Sequence, residues 1–277
     1  MAFQRAKKLE SDGKVGPLTW ARLFAGDEIP EPAIADKPLD FRVLALTGSF
    51  ETDAPVPECF CGLSGDFDGQ GISLGVLQWN LGQQSLQPLL AEMRTKFPAI
   101  MRQVFNVNLP VLDAVLKEPL PDQLEWARSI QDPRKRVTEP WHGMLKALGR
   151  REEFQQIELK YAGQLLRSAR TLSNSYKLGS ERAVALMFDI LTQNSSIPGP
   201  VAAQIQQEFR GIDPTLDSDQ QEVARMRIIA NRRAEAARPQ WIADVRARKL
   251  TIAEGVGTVH GKNYDLAQMY GIRLEAA

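Results

Sequence analysis

Three carboxylates stand out by type and spacing. Glu51 closes an apolar run that begins at Leu39, and Asp66 and Asp68 follow a polar, proline-containing loop within Gly65-Asp66-Phe67-Asp68-Gly69-Gln70-Gly71. Two acids on separate elements can flank a groove, and glycosidic cleavage needs that arrangement. One carboxylic acid protonates the leaving oxygen, while a second carboxylate activates water or attacks the sugar. Glu51 suits the acid role, because Phe50 and the apolar run before it can desolvate it and the neighbouring acids add like-charge pressure to hold a proton. Asp66 or Asp68, beside glycines and solvent, suits the ionised role. The same residues also fit surface acids in a loop, with Asp-Gly a simple turn.

The remaining residues narrow the chemistry. Cys59 and Cys61 are the two cysteines, separated by one residue, a spacing near the upper limit for bridging in an extended chain. His142 and His260 lie far apart, so His and Cys spacing assembles no zinc site, and neither a metal nor a cofactor is expected. Gly255 to Gly261 lacks the Gly-Lys-Ser/Thr ending of a phosphate loop and reads as turns before a terminal helix. His142 beside Trp141 has no Ser or Cys motif to serve and reads as a packed or surface histidine. Gln78 and Asn80 can hydrogen-bond sugar hydroxyls or acetamido groups, and Gln193 and Asn194 are secondary candidates of the same kind.

The elements that must position these groups are mainly helical. The chain has 277 residues, 43% hydrophobic and 25% charged, which fits a globular protein and excludes disorder or a disulfide scaffold. Helical periodicity runs from Leu39 to about Glu51, Leu86 to Phe105, Val111 to Leu116, Phe154 to Leu172, Arg182 to Leu191 and Asp219 to Ala237. Gly69 to Asn80, rich in glycine with β-branched and aromatic residues, predicts one short hairpin. The organisation expected is a small helical unit over 1–26, a Pro-rich linker over 27–38, and one large α-rich domain over 39–277. No apolar run approaches the length of a membrane span, and no signal peptide is visible.

Charge is unevenly distributed. Lys+Arg and Asp+Glu both number 34, and the zero balance argues against binding nucleic acid by bulk charge. Yet Val43 to Glu92 contains no Lys or Arg and six acids, whereas Glu222 to Leu250 carries Arg225, Arg227, Arg232, Arg233, Arg238, Arg246, Arg248 and Lys249 against three acids. Most of those basic residues fit a solvated helix face.

Phe50-Glu51-Thr52-Asp53, then Gly65 to Gly71 and on to Gln78-Trp79-Asn80, resembles the active-site region of the chitosanase-like branch of the lysozyme superfamily. The resemblance implies a mainly α, α+β lysozyme-like domain, with a hairpin along the cleft. It implies Glu51 as general acid and Asp68 as the base that activates water, with Asp66 as second candidate. Arg182 to Asn194 resembles the family's central buried helix, whose acid would be Asp189. Residues 230–235 and 246–249 resemble arginine-bearing helices that link by ion pairs toward the catalytic Glu, which places Arg232, Arg233 and Arg248 behind the site. A close arginine would oppose protonation of an acid, so the order expected is Arg to Asp189 to Arg, with Glu51 tuned indirectly.

Phe3-Gln4-Arg5-Ala6, Leu9, Asp12 to Trp20 and Leu23 resemble the second half of a helical peptidoglycan-binding domain. Trp20 could there stack on a sugar or pack in the core.

Together these readings imply a muramidase-type hydrolase of bacterial peptidoglycan, inverting if the two carboxyl groups stand roughly 6.5 to 9.5 Å apart. Alternatives are a lytic transglycosylase using Glu51 alone, a chitosanase, and a non-catalytic wall-binding protein. A chain made in the cytoplasm would reach the wall as an endolysin released through a holin. A toxin delivered by a secretion machine would instead need a cognate immunity protein. The charge asymmetry yields a structural expectation: at least one of Arg232, Arg233, Arg246 and Arg248 reaches Asp189 or Glu51.

Overall fold

A computed structural model describes residues 2–9, 19, 22–23 and 34–277. In chain order its helices are α1 (Ala2–Ala6), α2 (Leu39–Thr52), α3 (Leu86–Lys96), α4 (Pro98–Phe105), α5 (Leu109–Val115), α6 (Leu120–Ser129) and α7 (Trp141–Gly149). They continue as α8 (Glu152–Ser175), α9 (Glu181–Asn194), α10 (Gly199–Phe209), α11 (Ser218–Glu235), α12 (Ile242–Glu254) and α13 (Leu266–Tyr270). Strands β1 (Leu63–Ser64), β2 (Ser73–Leu74) and β3 (Trp79–Asn80) form one antiparallel sheet, with Leu63 opposite Leu74 and Ser73 opposite Asn80. A second antiparallel pair joins β4 (Val256–Val259) to β5 (Lys262–Asp265).

The mainly helical class holds, and several expectations change in detail. The run from Leu86 to Phe105 is two helices, because Pro98 cannot donate a backbone N–H and starts a new helix at its first position. The predicted single hairpin is a three-stranded sheet of two-residue strands. The Gly255–Gly261 stretch predicted as turns is largely a hairpin, whose tight corner places His260 and Gly261 at positive φ. Helices α6, α7 and α10 were not predicted, and α12 was expected only through the resemblance of residues 246–249. Of the amino-terminal unit and linker, residues 1, 10–18, 20–21 and 24–33 lie outside the described residues. Gln4 Nε2 donates to Thr19 Oγ1 at 3.4 Å, and residues 34–38 pack on the main domain, with Ile34 in its core.

Among the described residues two hydrophobic cores form, and helix α8 serves both. The first gathers α2 and α9, buried almost all round, with parts of α10–α13. The second gathers Ile72, Leu74 and Leu81 of the sheet region with α3–α7. Helix α8, 24 residues and so about 36 Å long, gives Phe154 and Ile157 to the second core and Ala162, Leu166 and Ala169 to the first. Trp79 packs against both. Arg42 fixes the start of α2 to the start of α9 through a two-pronged pair with Glu181, 2.5 Å at its shorter limb.

The sheet seats on α2 and α8 by close backbone approach. A Cβ at Gly48 of α2 would lie 2.0 Å from Val76 Cγ2, and one at Gly75, φ 92°, would lie 2.1 Å from Glu158 Oε1. Glu158 of α8 is fully buried and accepts the Val76 N–H at 2.9 Å through Oε1, while Oε2 has no hydrogen-bond partner among the described residues. Burial holds this carboxyl well above the usual carboxylate range, and the Val76 N–H only partly opposes that.

A raised folded-state value means that the unfolded chain loses this proton first. Stability therefore falls as pH rises from about 4.3 toward the folded value. Glu158→Gln is expected to gain on the wild type by about 1 kcal/mol, or a few degrees in Tm, between pH 4 and pH 8 in thermal unfolding. A difference that does not change with pH would show that Glu158 is not the titrating group.

Candidate active site

Glu51 sits in the last turn of α2, which ends at Asp53 in the left-handed region. Its side chain is 30% exposed, and its Oε1 accepts from Arg248 Nη2 of α12 at 2.6 Å. The same Arg248 nitrogen donates to Asp189 Oδ1 of α9 at 2.7 Å, and Arg248 Nε adds a bond to that oxygen at 2.9 Å. Asp189 Oδ2 accepts from Lys249 Nζ at 2.8 Å, with Thr47 Oγ1 of α2 at 3.5 Å from Oδ1. Two basic and two acidic side chains thus form one cluster in which Asp189, Arg248 and Lys249 are buried. The Arg248 guanidinium lies over the Phe50 ring at 5.2 Å from its centroid.

Burial and pairing pull against each other here. Burial works to raise Asp189, but Arg248 and Lys249 outweigh it and leave the carboxyl below its ordinary value. Burial lowers Lys249 despite Asp189, while Arg248 ends higher because the attraction of Asp189 and Glu51 overcomes its own burial. The expected approach of an arginine is met by Arg248. The order differs from the one predicted: Arg248 touches Glu51 directly, since one planar fork can serve both carboxylates. The far side of Asp189 is occupied by Lys249, not by a second arginine.

Arg232 and Arg233 do not support the site in the way predicted. Arg232 pairs with Glu208 and, at 2.5 Å, with Glu235 on the outer side of α11. Arg233 donates to the backbone oxygens of Ser196 at 3.1 Å and Asn194 at 3.4 Å, tying down the end of α9. Arg246 meets Glu235 at 3.6 Å.

The other two candidate acids lie on the loop between β1 and β2, on the side of the second core. Asp66 is buried, accepts the Gly71 N–H at 2.9 Å, and stands 3.5 Å from Arg128 Nη1 of α6. Its own N–H donates to Gln131 Oε1 at 2.8 Å, so it shapes the loop. Asp68 is exposed, and its Oδ1 accepts the Gln70 N–H at 3.1 Å in a local turn. Phe67, between them, is 66% exposed. The β4–β5 hairpin reaches the segment after Glu51, where Lys262 Nζ meets Asp53 Oδ1 at 2.7 Å.

The predicted sugar contacts are mostly engaged elsewhere. Gln78, at φ 54°, accepts from Ser64 Oγ at 2.7 Å and donates to the Gly75 oxygen at 2.9 Å, which locks the sheet. Asn80 is buried and accepts the Gln83 N–H at 2.8 Å. Gln193 accepts from Lys249 Nζ at 2.7 Å, and Asn194 Oδ1 is buried without a partner among the described residues. Trp20 lies outside the described residues. His142 meets Glu139 on the surface at 3.2 Å. Cys59 and Cys61 are free and buried, and burial pushes their thiols up to about 12 and about 11.

Sequence reading missed Lys249, Phe67 and Arg128. Lys249 sits four residues beyond the buried Val245 and next to the buried Arg248 on α12. No group of His, Cys, Asp and Glu among the described residues is arranged to hold a metal ion, and no helix among them is long and apolar enough to cross a membrane.

A scan of protein-family models and a search of curated proteins each found no match. Among solved structures, the fold is similar to that of a GH46 chitosanase from Gynuella sunshinyii in complex with chitotetraose. The TM-score is 0.51 at 12% identity, covering 82% of this chain and 97% of that one. The chain therefore has the lysozyme-like fold of that enzyme.

Asp189→Asn leaves two buried cations short of a counter-charge and is expected to cost on the order of 3–5 kcal/mol in urea unfolding at pH 7. Because Asp189 is lowered in the folded state, its contribution is present above about pH 4 and disappears as pH falls through the folded value. The gap between wild type and variant should close in acid; a gap unchanged down to pH 2 would contradict the ionised role.

Proposed function

We propose that the chain is a glycoside hydrolase that cleaves the glycan strand of bacterial peptidoglycan, with Glu51 as general acid and Asp68 as general base. The observation that carries this reading is the placement of the carboxylates. Glu51 is anchored from behind by Arg248 through Oε1, its other oxygen having no partner among the described residues, while Asp68 is the accessible acid on the loop that rises from the other core. The similarity in fold to a GH46 chitosanase supports glycosidase chemistry. Asp66, whose oxygens face Gly71 and Arg128, is the alternative base.

Glycan preference follows from what borders that loop. Phe67 offers an apolar face to a sugar ring. Arg128 and the exposed Arg134 and Lys135 stand nearby, the Lys135 carbonyl packing so closely on Gly65 that a Cβ there would have no room. Cations at this wall favour a strand bearing carboxylates, as peptidoglycan does, over chitosan, which carries ammonium groups. Chitosan remains the second substrate to test, because the structural neighbour is a chitosanase bound to chitotetraose. A peptidoglycan hydrolase of this kind reaches its substrate by holin-type release or through a secretion system, and in the latter case works with a cognate immunity protein.

Glu51→Gln should abolish turbidity loss on purified sacculi, a drop of at least about 100-fold, with its circular dichroism unchanged. Full lysis by that variant would sink the acid assignment. Asp68→Asn should fall as far and Asp66→Asn less; the reverse order would move the base to Asp66. Mass analysis should find reducing ends, whereas anhydro-muramic ends, with both Asp variants active, would identify a lytic transglycosylase. Phe67→Ala should raise KM about fivefold and leave kcat nearly unchanged.

A further inference from the structure

The ion cluster behind Glu51 has a second layer. Lys249 Nζ is fully buried and must place its donors on acceptors. Asp189 Oδ2 takes one at 2.8 Å and Gln193 Oε1 another at 2.7 Å. The Gln193 amide could turn over with little change of shape. Turned over, it would aim its NH2 at an ammonium group.

Asp244 prevents that. Gln193 Nε2 donates to Asp244 Oδ2 at 3.3 Å, and an ionised carboxylate can only accept, so it selects the nitrogen end of the amide. Asp244 is held in turn by His260 at the corner of the β4–β5 hairpin, Nε2 to Oδ1 at 2.6 Å. The contacts run without a gap through His260, Asp244, Gln193, Lys249, Asp189, Arg248 and Glu51, and none exceeds 3.3 Å. Asp189 and Gln193 stand one helical turn apart on α9, and Asp244 and Arg248 one turn apart on α12, so the two helices present matched rows.

We propose that Asp244 is a positioning residue for Glu51: it fixes the amide of Gln193 so that Lys249 is shared between Gln193 and Asp189, which leaves Asp189 Oδ1 to hold Arg248 against Glu51. When the amide is free to turn, Lys249 draws on Asp189 alone, the carboxylate shifts toward it, and the Arg248 fork loses its fixed seat. His260 serves the same end by holding Asp244. This rests on the acid role of Glu51 proposed above.

A double-mutant cycle separates this role from simple structural support. Asp244→Ala should lower kcat about tenfold with KM within about twofold, the pattern of a misplaced catalytic group. Gln193→Met removes the acceptor outright, so adding Asp244→Ala to it should cost nothing further. Gln193→Glu supplies an acceptor at both ends of the side chain, so it should restore kcat in the Asp244→Ala background while being harmful alone, where it faces Asp244. Additive losses, or no recovery in the Gln193→Glu pair, would overturn the proposal. The nitrogen-15 NMR signal of the Lys249 ammonium gives a readout free of turnover. It should move in Asp244→Ala and return in the Asp244→Ala/Gln193→Glu pair, and an unmoved signal would equally overturn the proposal. Glu51→Gln is assayed alongside: if it stays active, the acid assignment fails while the NMR cycle still tests the orienting chain.

Discussion

The burial of Arg248 and Lys249 against Asp189 is the constraint on which the rest depends. Taking three charged side chains out of water costs several kcal/mol for each, and only close, well-directed partners offset that. The partners come from three helices, so α2, α9 and α12 must meet at one point with little freedom of rotation or slide. Glu51 is the one member of the cluster that reaches solvent. Its position is therefore set by an interior electrostatic requirement that would exist whether or not a substrate were ever bound.

The second constraint is apolar. Helix α8 belongs to both cores, and the sheet leans on α8 and α2 through Gly75 and Gly48, where no larger residue fits. Glu158 is an odd choice for that joint, since a fully buried carboxyl with one orphan oxygen destabilises it. It does satisfy the Val76 N–H, which the tight approach of the sheet would otherwise leave without an acceptor.

Much of this was legible in the sequence, and the reasons for success and failure differ. Helices α2 and α9 were visible because their apolar runs are long, and Glu51 because it ends one of them. The loop acids were visible because glycines bracket them. Arg248 was expected near the site from charge asymmetry and family resemblance together, but its direct contact with Glu51 was not. Spacing gives the face of a helix, not which of two acids a forked donor will choose. Gln78 and Gln193 looked like sugar ligands because a free amide and a committed one are identical in sequence. Lys249 was hidden for a similar reason: among eight basic residues in that segment, only packing reveals which ones turn inward. The split at Pro98 was readable from proline chemistry alone.

The two halves of the site differ in how they are held. Glu51 is embedded in a buried network that few substitutions could leave intact. The loop carrying Phe67 and Asp68 is held by a handful of bonds that involve Asp66, Gly71, Gln131 and Gln70. Such a molecule can exchange its loop without disturbing Glu51. Divergence among chains of this build should then accumulate on the sheet side, where a new sugar preference arises from a short replacement, while the helical side stays as an inherited chassis.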